Sequence, residues 1–468
     1  MIFIIMLPAV LWLFNPQWPA WMGLFAVSAA ILVPVHAWLE GMHWQMVPAY
    51  GAVGLLLLQE SGIYPGEAAR PYYAIGTCLL LTGTLLFSWA VPMFKLPKPT
   101  GKYPIGTRTL NLIDSGREEM HGWAKPGKRE VIAQLWYPAA KKSGPKAKYR
   151  MRCETGRRSA YQSVLATRAL QDAPLAIGRF PVIIHNPAWH GLRHSATFTI
   201  QELASHGFVV VSISHPYNSA MVSLSDGTVV NPNHDHDIGY SKNHYIPMEE
   251  RIAIAEAELA VQTRDCRFVL DELQRFDRTV GHPLEARLQM DRVGAYGISF
   301  GGAVSMELAR EDARVLSALE LDGVLHGSVA LQGLDKPFMI IDCPLKGPPF
   351  EVEEGADIRA VETAGLWKRM ADTKALILSR CGGFKVLVEG IGKSDFYDQI
   401  FMSPLRKFSR VGSVPQKQVA LILNSYVLAF YRHTLCDQEE QILAEGAQPF
   451  PEVRFDTWQR TTIANSLN

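Results

Sequence analysis

The chain has 468 residues, a formal net charge of +1 and a pI of about 7.7. This length allows more than one folded unit, and the near-neutral charge gives no reason to expect nucleic acid as a partner. Zinc-type cysteine spacing, a GxGxxG dinucleotide fingerprint and a phosphate loop are all missing from the sequence, so no metal or organic cofactor is predicted.

Residues 1–94 are predicted to form a transmembrane helical region with three or four spans. The charged side chains before residue 95 are Glu40, Glu60, Glu67 and Arg70. A span needs roughly 20 mostly apolar residues, and the candidates are 21–38, 44–58 and 72–94, with 2–14 as a shorter fourth. Tryptophans lie mostly near the ends of these segments, as in an interfacial aromatic belt. The rival interpretation is a buried helical bundle in a soluble protein.

Basic residues follow the last apolar segment, and they predict its orientation. Lys95, Lys98, Lys102 and Arg108 lie just beyond it, whereas the preceding loop has a single arginine. The positive-inside rule then predicts an integral protein of the inner (cytoplasmic) membrane whose remaining residues face the cytoplasm. The basic loop at 141–152 is interpreted either as a solvated surface loop or as a patch that contacts anionic lipid.

Residues 95–104 are predicted to be a Pro/Gly/Lys linker, and 105–468 an α/β domain. Short apolar runs alternate with helical patterns along this part of the chain. Predicted strands are 131–137, 181–184, 208–213, 293–296, 319–321, 338–341 and 384–388; predicted helices are 197–206, 248–276, 303–310 and 419–434. This alternation is typical of a mostly parallel sheet with helices on both faces.

A nucleophile motif lies between one of these strands and the helix that follows it. Gly297, Ser299 and Gly301 fit G-x-S-x-G, and Gly302 follows. In an α/β-hydrolase the serine sits on a strained strand-to-helix turn, where small neighbours let the strand and the helix pack closely. The alternative is a glycine-rich turn with an incidental serine.

The acid of a hydrolase triad is expected later in the chain than the serine. Asp322 follows the next predicted strand and precedes Gly323. A carboxylate at the carboxyl end of a parallel strand lies at the edge of the sheet where such sites collect. Asp322 is therefore the predicted acid. The alternative interpretation is that Asp322 and Gly323 form an ordinary turn.

From about residue 103 to about 435, the chain resembles the platelet-activating factor acetylhydrolases. These are α/β-hydrolases that remove short or oxidised acyl chains from the sn-2 position of phospholipids. The matching segments are YPIGT (103–107), LWYPA (135–139), LASHGFVVVSISHP (203–216), SDGTVV (225–230), RDCRFVLDEL (264–273), GISFGG (297–302), LELDG (319–323) and GIGKSDFYD (390–398).

The resemblance implies roles for individual residues. Ser299 would be the nucleophile and Asp322 the acid that orients the base. The backbone N–H groups of Phe300 and Trp189 would form the oxyanion hole. The family usually has His-Gly where this chain has Pro187-Ala188, one position before the second donor.

The residue at the expected base position is unusual. In the family a histidine occurs in a segment like G-x-G-H-x-x-F-x-D, and here Lys393 takes its place while Gly390, Gly392, Phe396 and Asp398 match. Three interpretations stay open. Lys393 is the base, a displaced histidine replaces it, or the site lacks a working base. The displaced candidates are His190, His194, His215 and His326.

The sequence thus predicts a membrane-anchored serine carboxylic-ester hydrolase that acts on phospholipid or other lipid-like acyl esters. Its expected partners are the lipid bilayer and a lipid or acyl-ester substrate. The alternative is a catalytically impaired hydrolase-fold protein that serves as a lipid-binding or membrane scaffold. The NHDHD segment at 233–237 is interpreted as a solvated loop rather than a metal site.

Overall fold

The computed structural model describes residues 21–39, 44–61, 70–121, 124, 126–232, 246–344, 358–405 and 411–460. These residues form two compact units. The smaller contains the described residues of Met1–Lys95, Lys148–Ala166 and Phe401–Arg406, and the larger contains the rest. Two later segments, 148–166 and 401–406, thus belong to the same unit as the N-terminal helices. No single boundary along the chain therefore separates the two units. The predicted segment 2–14 and the NHDHD loop lie outside the described residues.

The larger unit is built on an 11-stranded sheet with strand order β13-β12-β11-β10-β9-β5-β6-β2-β1-β4-β3. Its strands are β1 (Ile105–Glu118), β2 (Lys128–Pro138), β3 (Lys146–Lys148), β4 (Ala166–Gln171), β5 (Phe180–Asn186), β6 (Val209–Ser214), β9 (Leu288–Ile298), β10 (Val315–Leu321), β11 (Phe338–Asp342), β12 (Gly383–Val388) and β13 (Val453–Trp458). Strands β7 (Val222–Ser223) and β8 (Val229–Val230) form a separate hairpin. The central strands from β6 to β12 are parallel, while β2 and β13 pair antiparallel at the two ends of this block.

The helices of the described residues are α1 (Trp21–Leu39), α2 (Val47–Glu60), α3 (Arg70–Ala90), α4 (Thr197–Ser205), α5 (Met248–Arg278), α6 (Phe300–Glu311), α7 (Gly327–Gln332), α8 (Ile358–Cys381) and α9 (Gln416–Cys436). Helices α5 and α6 pack together, and so do α4 and α9. The predicted α/β architecture is confirmed for the larger unit, which has a hydrolase-like mixed sheet with helices.

Strand β9 shows why its sequence is apolar at consecutive positions. Val293 and Ala295 belong to the same core cluster as Leu270 of α5 and Val304 of α6. Between them, the Tyr431 ring of α9 covers Gly294, and the Tyr431 hydroxyl donates to the carbonyl of Ala295 at 2.8 Å. Because side chains alternate across a strand, a strand covered by helices on both faces is apolar throughout. This burial fixes the end of β9, where the G-x-S-x-G motif begins.

The predicted elements of the larger unit coincide with observed ones, although the strand at 208–213 was started one residue too early and the helix at 197–206 was ended one residue too late. The strand predicted at 319–321 is the end of β10, for example, and the helix at 419–434 lies within α9. The sequence analysis missed the short strands β3, β4, β7 and β8 and the short helix α7. It also missed three longer elements: β1, β13 and the 24-residue helix α8. Helix α8 carries Leu366, Met370 and Ile377, an apolar spacing typical of an amphipathic helix.

The smaller unit contains the three N-terminal helices. Helix α2 packs against both α1 and α3, and small residues lie at these contacts, such as Gly51 beside Leu80 and Gly76 beside Leu55. Their outward side chains are mostly apolar, including Leu79, which is 67% exposed. Small residues between helices and apolar residues outside are typical of helices in lipid. The helix predicted at 72–94 ends at Ala90.

Two helices of the described residues are long and apolar enough to cross a membrane, by length and composition alone. They are Pro71–Ala90 and Gln416–Cys436, and Val27–Trp38 and Trp44–Leu58 are shorter apolar helices. Helix α9 is mostly buried in the larger unit, as the core helix of a globular domain would be. Membrane insertion therefore remains a proposal for the N-terminal helices.

Candidate active site

Ser299 lies on the sharp turn between β9 and α6, in a strained backbone conformation. Its φ is 58° and its ψ is −124°, and a positive φ is unusual for a residue with a side chain. The turn is held by the Ser299 N–H, which donates to the Leu321 carbonyl at 2.8 Å, and by its carbonyl, which accepts from Gly302 N–H at 2.9 Å. Such strain is typical of a nucleophile elbow.

Glycine is required in this turn because the backbone passes close by. A Cβ on Gly297 would collide with the Gly301 carbonyl, and a Cβ on Gly301 would collide with the carbonyls of Asn186 and Pro187. The elbow (residues 297–302) therefore lies directly against the end of β5. This places residues 187–189 beside the start of α6.

The two predicted oxyanion-hole residues are neighbours. The rings of Trp189 and Phe300 pack edge to face, with centroids 4.9 Å apart. A tight turn follows Ala188, in which its carbonyl accepts from Gly191 N–H at 2.6 Å. Phe300 begins α6, so its N–H lies among the unpaired donors at a helix N-terminus. The donor roles of both residues stay predictions.

Ser299 lines a cavity of about 200 Å³ with mainly apolar walls. Its lining residues are Trp189, Met248, Arg251, Ile252, Ala255, Phe300, Val324, His326 and Leu366. Sequence reasoning missed the contributions of α5 and α8, because apolar residues on an amphipathic helix are ordinarily assigned to the core. A serine facing a small apolar cavity is positioned to attack a bound acyl group.

Asp322 and Lys393 form an ion pair in this site. The Lys393 Nζ lies 2.9 Å from Asp322 Oδ2 and also donates to the backbone carbonyl of Asp322. Asp322 itself has a positive φ of 51°, and its N–H donates to the Ile341 carbonyl at 2.9 Å. The structure thus brings the predicted acid and the predicted base position together.

The charge state of Lys393 opposes a role as base. Desolvation is the largest single effect and favours the neutral amine, but the surrounding groups, with Asp322 first among them, together outweigh it and raise the pKa of Lys393 above its ordinary value. A lysine that stays protonated has no lone pair to accept a proton. The geometry therefore gives no support to the interpretation of Lys393 as the base.

Structural contacts explain the motif match around Lys393. Asp398 is buried, and its carboxylate accepts from the Thr197 and Phe198 N–H groups at 3.0 Å each, which caps α4. Asp395 accepts from the Gly392 and Gly412 N–H groups at 2.7 and 2.5 Å. The base loop (Gly390–Asp398) is therefore held in place by groups other than residue 393.

His215 belongs to a buried charge network rather than to the cavity. Its Nδ1 lies 3.0 Å from Asp265 Oδ2, and Arg129 binds the same carboxylate at 2.6 Å. Desolvation opposes ionisation of Asp265, but Arg129 and His215 hold its pKa below the ordinary value. Arg129 also bonds Glu119, which pairs with His121. This network accounts for His215 structurally.

The other histidine candidates differ in position. The His190 ring lies 5.6 Å from the Trp189 ring. His194 is buried, and its carbonyl accepts from the Thr197 hydroxyl at 2.6 Å. His326 is the one histidine among the described residues that lines the cavity with Ser299.

A central parallel sheet, a serine on a strained elbow and an acid after the next strand define the class of α/β-hydrolases. A solved structure of this class supports the assignment: the ferulic acid esterase from Streptomyces cinnamoneus is 25% identical, has a TM-score of 0.60, and the match covers 77% of this chain and 99% of that one. The family model for platelet-activating factor acetylhydrolase, isoform II, matches residues 90–342, which is more than half of the chain. The chain belongs to this family, as the sequence analysis predicted.

Two curated proteins are also similar to the chain. A probable 1-alkyl-2-acetylglycerophosphocholine esterase from Arthroderma benhamiae is 20% identical over 282 residues, covering 59% of this chain and 66% of that protein. The platelet-activating factor acetylhydrolase of Canis lupus familiaris is 22% identical over 261 residues, covering 51% and 57%. The chain thus matches less than two thirds of the length of each relative.

Proposed function

We propose that this protein is a serine carboxylic-ester hydrolase that acts on lipid-like acyl esters. The observation that carries the proposal is the strained elbow, which presents Ser299 to an apolar cavity in a chain of this family. The relatives are named as esterases and an acetylhydrolase, which favours catalysis over the alternative of a non-catalytic lipid-binding scaffold.

In this proposal Ser299 attacks the ester carbonyl, and the N–H groups of Phe300 and Trp189 stabilise the oxyanion. Preorganised donors of this kind contribute about 10²–10³-fold to the rate each. The cavity volume of about 200 Å³ is below the roughly 300–1,000 Å³ of sites that enclose a drug-sized ligand. We therefore propose a short acyl group as the part of the lipid that enters it.

A fluorophosphonate probe tests the nucleophile. We expect wild-type protein to be labelled and Ser299→Ala to be unlabelled. Ser379→Ala, on the partly exposed side of α8, is the matched control and should be labelled like wild type. Well-folded wild-type protein that takes up no probe would refute the esterase and favour the scaffold.

We propose further that the N-terminal helices anchor the protein in the inner membrane, with the larger unit in the cytoplasm. The apolar helices and the basic residues after them support this proposal. Cys153 is exposed and lies in a short segment whose two ends continue directly into the larger unit, so a variant that retains only this cysteine reports the side of the membrane on which that unit lies. A membrane-impermeant maleimide should label it in broken cells and leave it unlabelled in intact ones; the reverse would place the domain outside.

A further inference from the structure

The proposed reaction needs a group that removes the proton from the Ser299 hydroxyl. The family motif places a histidine at 393, but the lysine there is paired with Asp322 at 2.9 Å and stays protonated. A second group in the same cavity has the required chemistry. It is His326, four residues after Asp322.

The position of His326 is fixed by contacts of the neighbouring helices. His326 is the N-cap residue of α7, with extended backbone at φ −129° and ψ 173°. Glu307 of α6 accepts from the next N–H groups, Ser328 at 3.1 Å and Val329 at 2.9 Å. Helix α6 starts at the elbow, so the same helix that carries Phe300 also holds the backbone next to His326.

The ring of His326 lies beside the ring of Phe300 in the wall of the cavity. Its centroid lies 6.0 Å from that of Phe300, the residue after Ser299. Ser299 and His326 line the same space of about 200 Å³. Within the part of the chain that the structure describes, no protein group forms a hydrogen bond with either ring nitrogen. A ring nitrogen is therefore available to a hydroxyl or to one intervening water.

The imidazole is neutral at neutral pH. Desolvation, with a smaller contribution from the Arg369 charge, lowers the pKa of His326 to about 4. Other charged groups near His326 include Arg251, which lines the cavity on α5, and two side chains of α6: the Glu307 carboxylate, which is bound to backbone N–H groups, and Arg310, which donates to the Ser328 hydroxyl at 3.0 Å. A neutral imidazole keeps the lone pair that Lys393 lacks, although a low pKa makes it a weaker base than a family histidine.

We propose that His326 is the general base of this enzyme and that the Asp322–Lys393 ion pair has become structural; this inference rests on the proposed function. As Ser299 Oγ bonds to the acyl carbon, its proton moves to a ring nitrogen of His326. The imidazolium then gives that proton to the leaving alkoxide as the ester C–O bond breaks. A water molecule then attacks the acyl carbon of the acyl-enzyme while His326 takes its proton. The imidazolium returns that proton to Ser299 Oγ as the bond between Oγ and the acyl carbon breaks, and the acid is released.

Turnover of p-nitrophenyl acetate by the full chain tests this assignment. We expect His326→Ala and His326→Gln to lower kcat by about 10²–10⁴-fold with little change in KM. Val324→Ala, which alters the same wall without removing a base, should change KM more than kcat. Added imidazole should restore turnover to His326→Ala and leave Val324→Ala unchanged, a rescue that a purely structural histidine would not show.

The outcomes separate this inference from the proposed function. If Ser299→Ala abolishes turnover while both His326 variants keep wild-type kcat, the esterase stands and His326 is not its base. If Ser299→Ala turns over like wild type, the proposed function itself fails.

The pH profile of the reaction is an independent test. Because burial lowers the pKa of His326, we expect the acid limb of kcat/KM below the ordinary 6.5, and we expect His326→Gln to lose it; an unchanged acid limb in His326→Gln would contradict the assignment.

Discussion

The elbow and the base loop lie in the same domain but have diverged differently from the family pattern. In the elbow, Ser299 and its glycines match the motif, and the backbone around them leaves no room for larger residues. In the base loop, Gly392, Phe396 and Asp398 match, but Lys393 stands at the reactive position.

The contacts explain this difference. The strained backbone of the elbow determines where the Ser299 side chain lies, since that turn places it at the cavity. The base loop is held by Asp395 and Asp398, whose hydrogen bonds do not involve residue 393. Residue 393 can therefore be replaced without disturbing the base loop. The role of base is then easier to lose, or to transfer to a residue elsewhere in the site, than the role of Ser299.

The largest expected effect is in the elbow. A Cβ on Gly301 would collide with the backbone carbonyls of Asn186 and Pro187, which cannot rotate away as a side chain can. We expect Gly301→Ala to lower the free energy of unfolding by about 3 kcal/mol, since overpacking costs about 1–3 kcal/mol and no flexible side chain can give way here. Urea denaturation followed by circular dichroism measures it, together with the loss of probe labelling at Ser299.

Gly365→Ala is the matched control for that change. Gly365 lies within α8, and a Cβ there would meet open space. Alanine is favoured over glycine inside a helix by about 1 kcal/mol, so this variant should be as stable as wild type or more so. Equal denaturation midpoints for the two alanine variants would contradict the close packing of the elbow.

A smaller effect is expected where the base loop is anchored. The Asp398 carboxylate caps the N-terminus of α4 through Thr197 and Phe198. Removing a capping side chain costs about 0.5–2 kcal/mol, and the buried position puts Asp398→Ala at the upper end. Thermal unfolding measures the loss, and Asp226→Ala, which removes an exposed local bond to Thr228, is the control. A change for Asp398→Ala no larger than that control would show that other contacts hold the loop.

The elements that the sequence predicted best are those whose burial leaves a simple pattern. Strands covered on both faces, such as β6, have mainly apolar sequences, and α5 has the pattern of a long amphipathic helix. Strand β13 lies at the sheet edge and has mostly exposed side chains, so no apolar run marks it. The grouping of 148–166 with the N-terminal helices depends on tertiary contacts that no local pattern encodes.

The candidate site also contains parts that the sequence could predict and parts that it could not. Ser299 and Asp322 could be predicted as site residues because their motif depends on local turns at the ends of neighbouring strands. The cavity could not be predicted, since its walls come from Trp189, Ile252 and Leu366, which are far apart in the chain. The spacing of His326 after Asp322 was visible, but the cavity that distinguishes it from the other loop histidines is a property of the fold.

The smallest effect is expected at the replaced residue itself. Lys393 is partly exposed and its ammonium is held by Asp322, so it neither fills the core nor offers a lone pair. We expect Lys393→Met to keep turnover of p-nitrophenyl acetate within about threefold of wild type, because residue 393 supplies no lone pair to the proposed reaction and the buried Asp322 carboxylate keeps its hydrogen bond from the Cys343 N–H. A catalytic lysine would instead lose several powers of ten, as other hydrolases do without their base. Measuring Lys393→Met beside His326→Gln, at equal protein and pH, therefore decides which residue accepts the proton from Ser299.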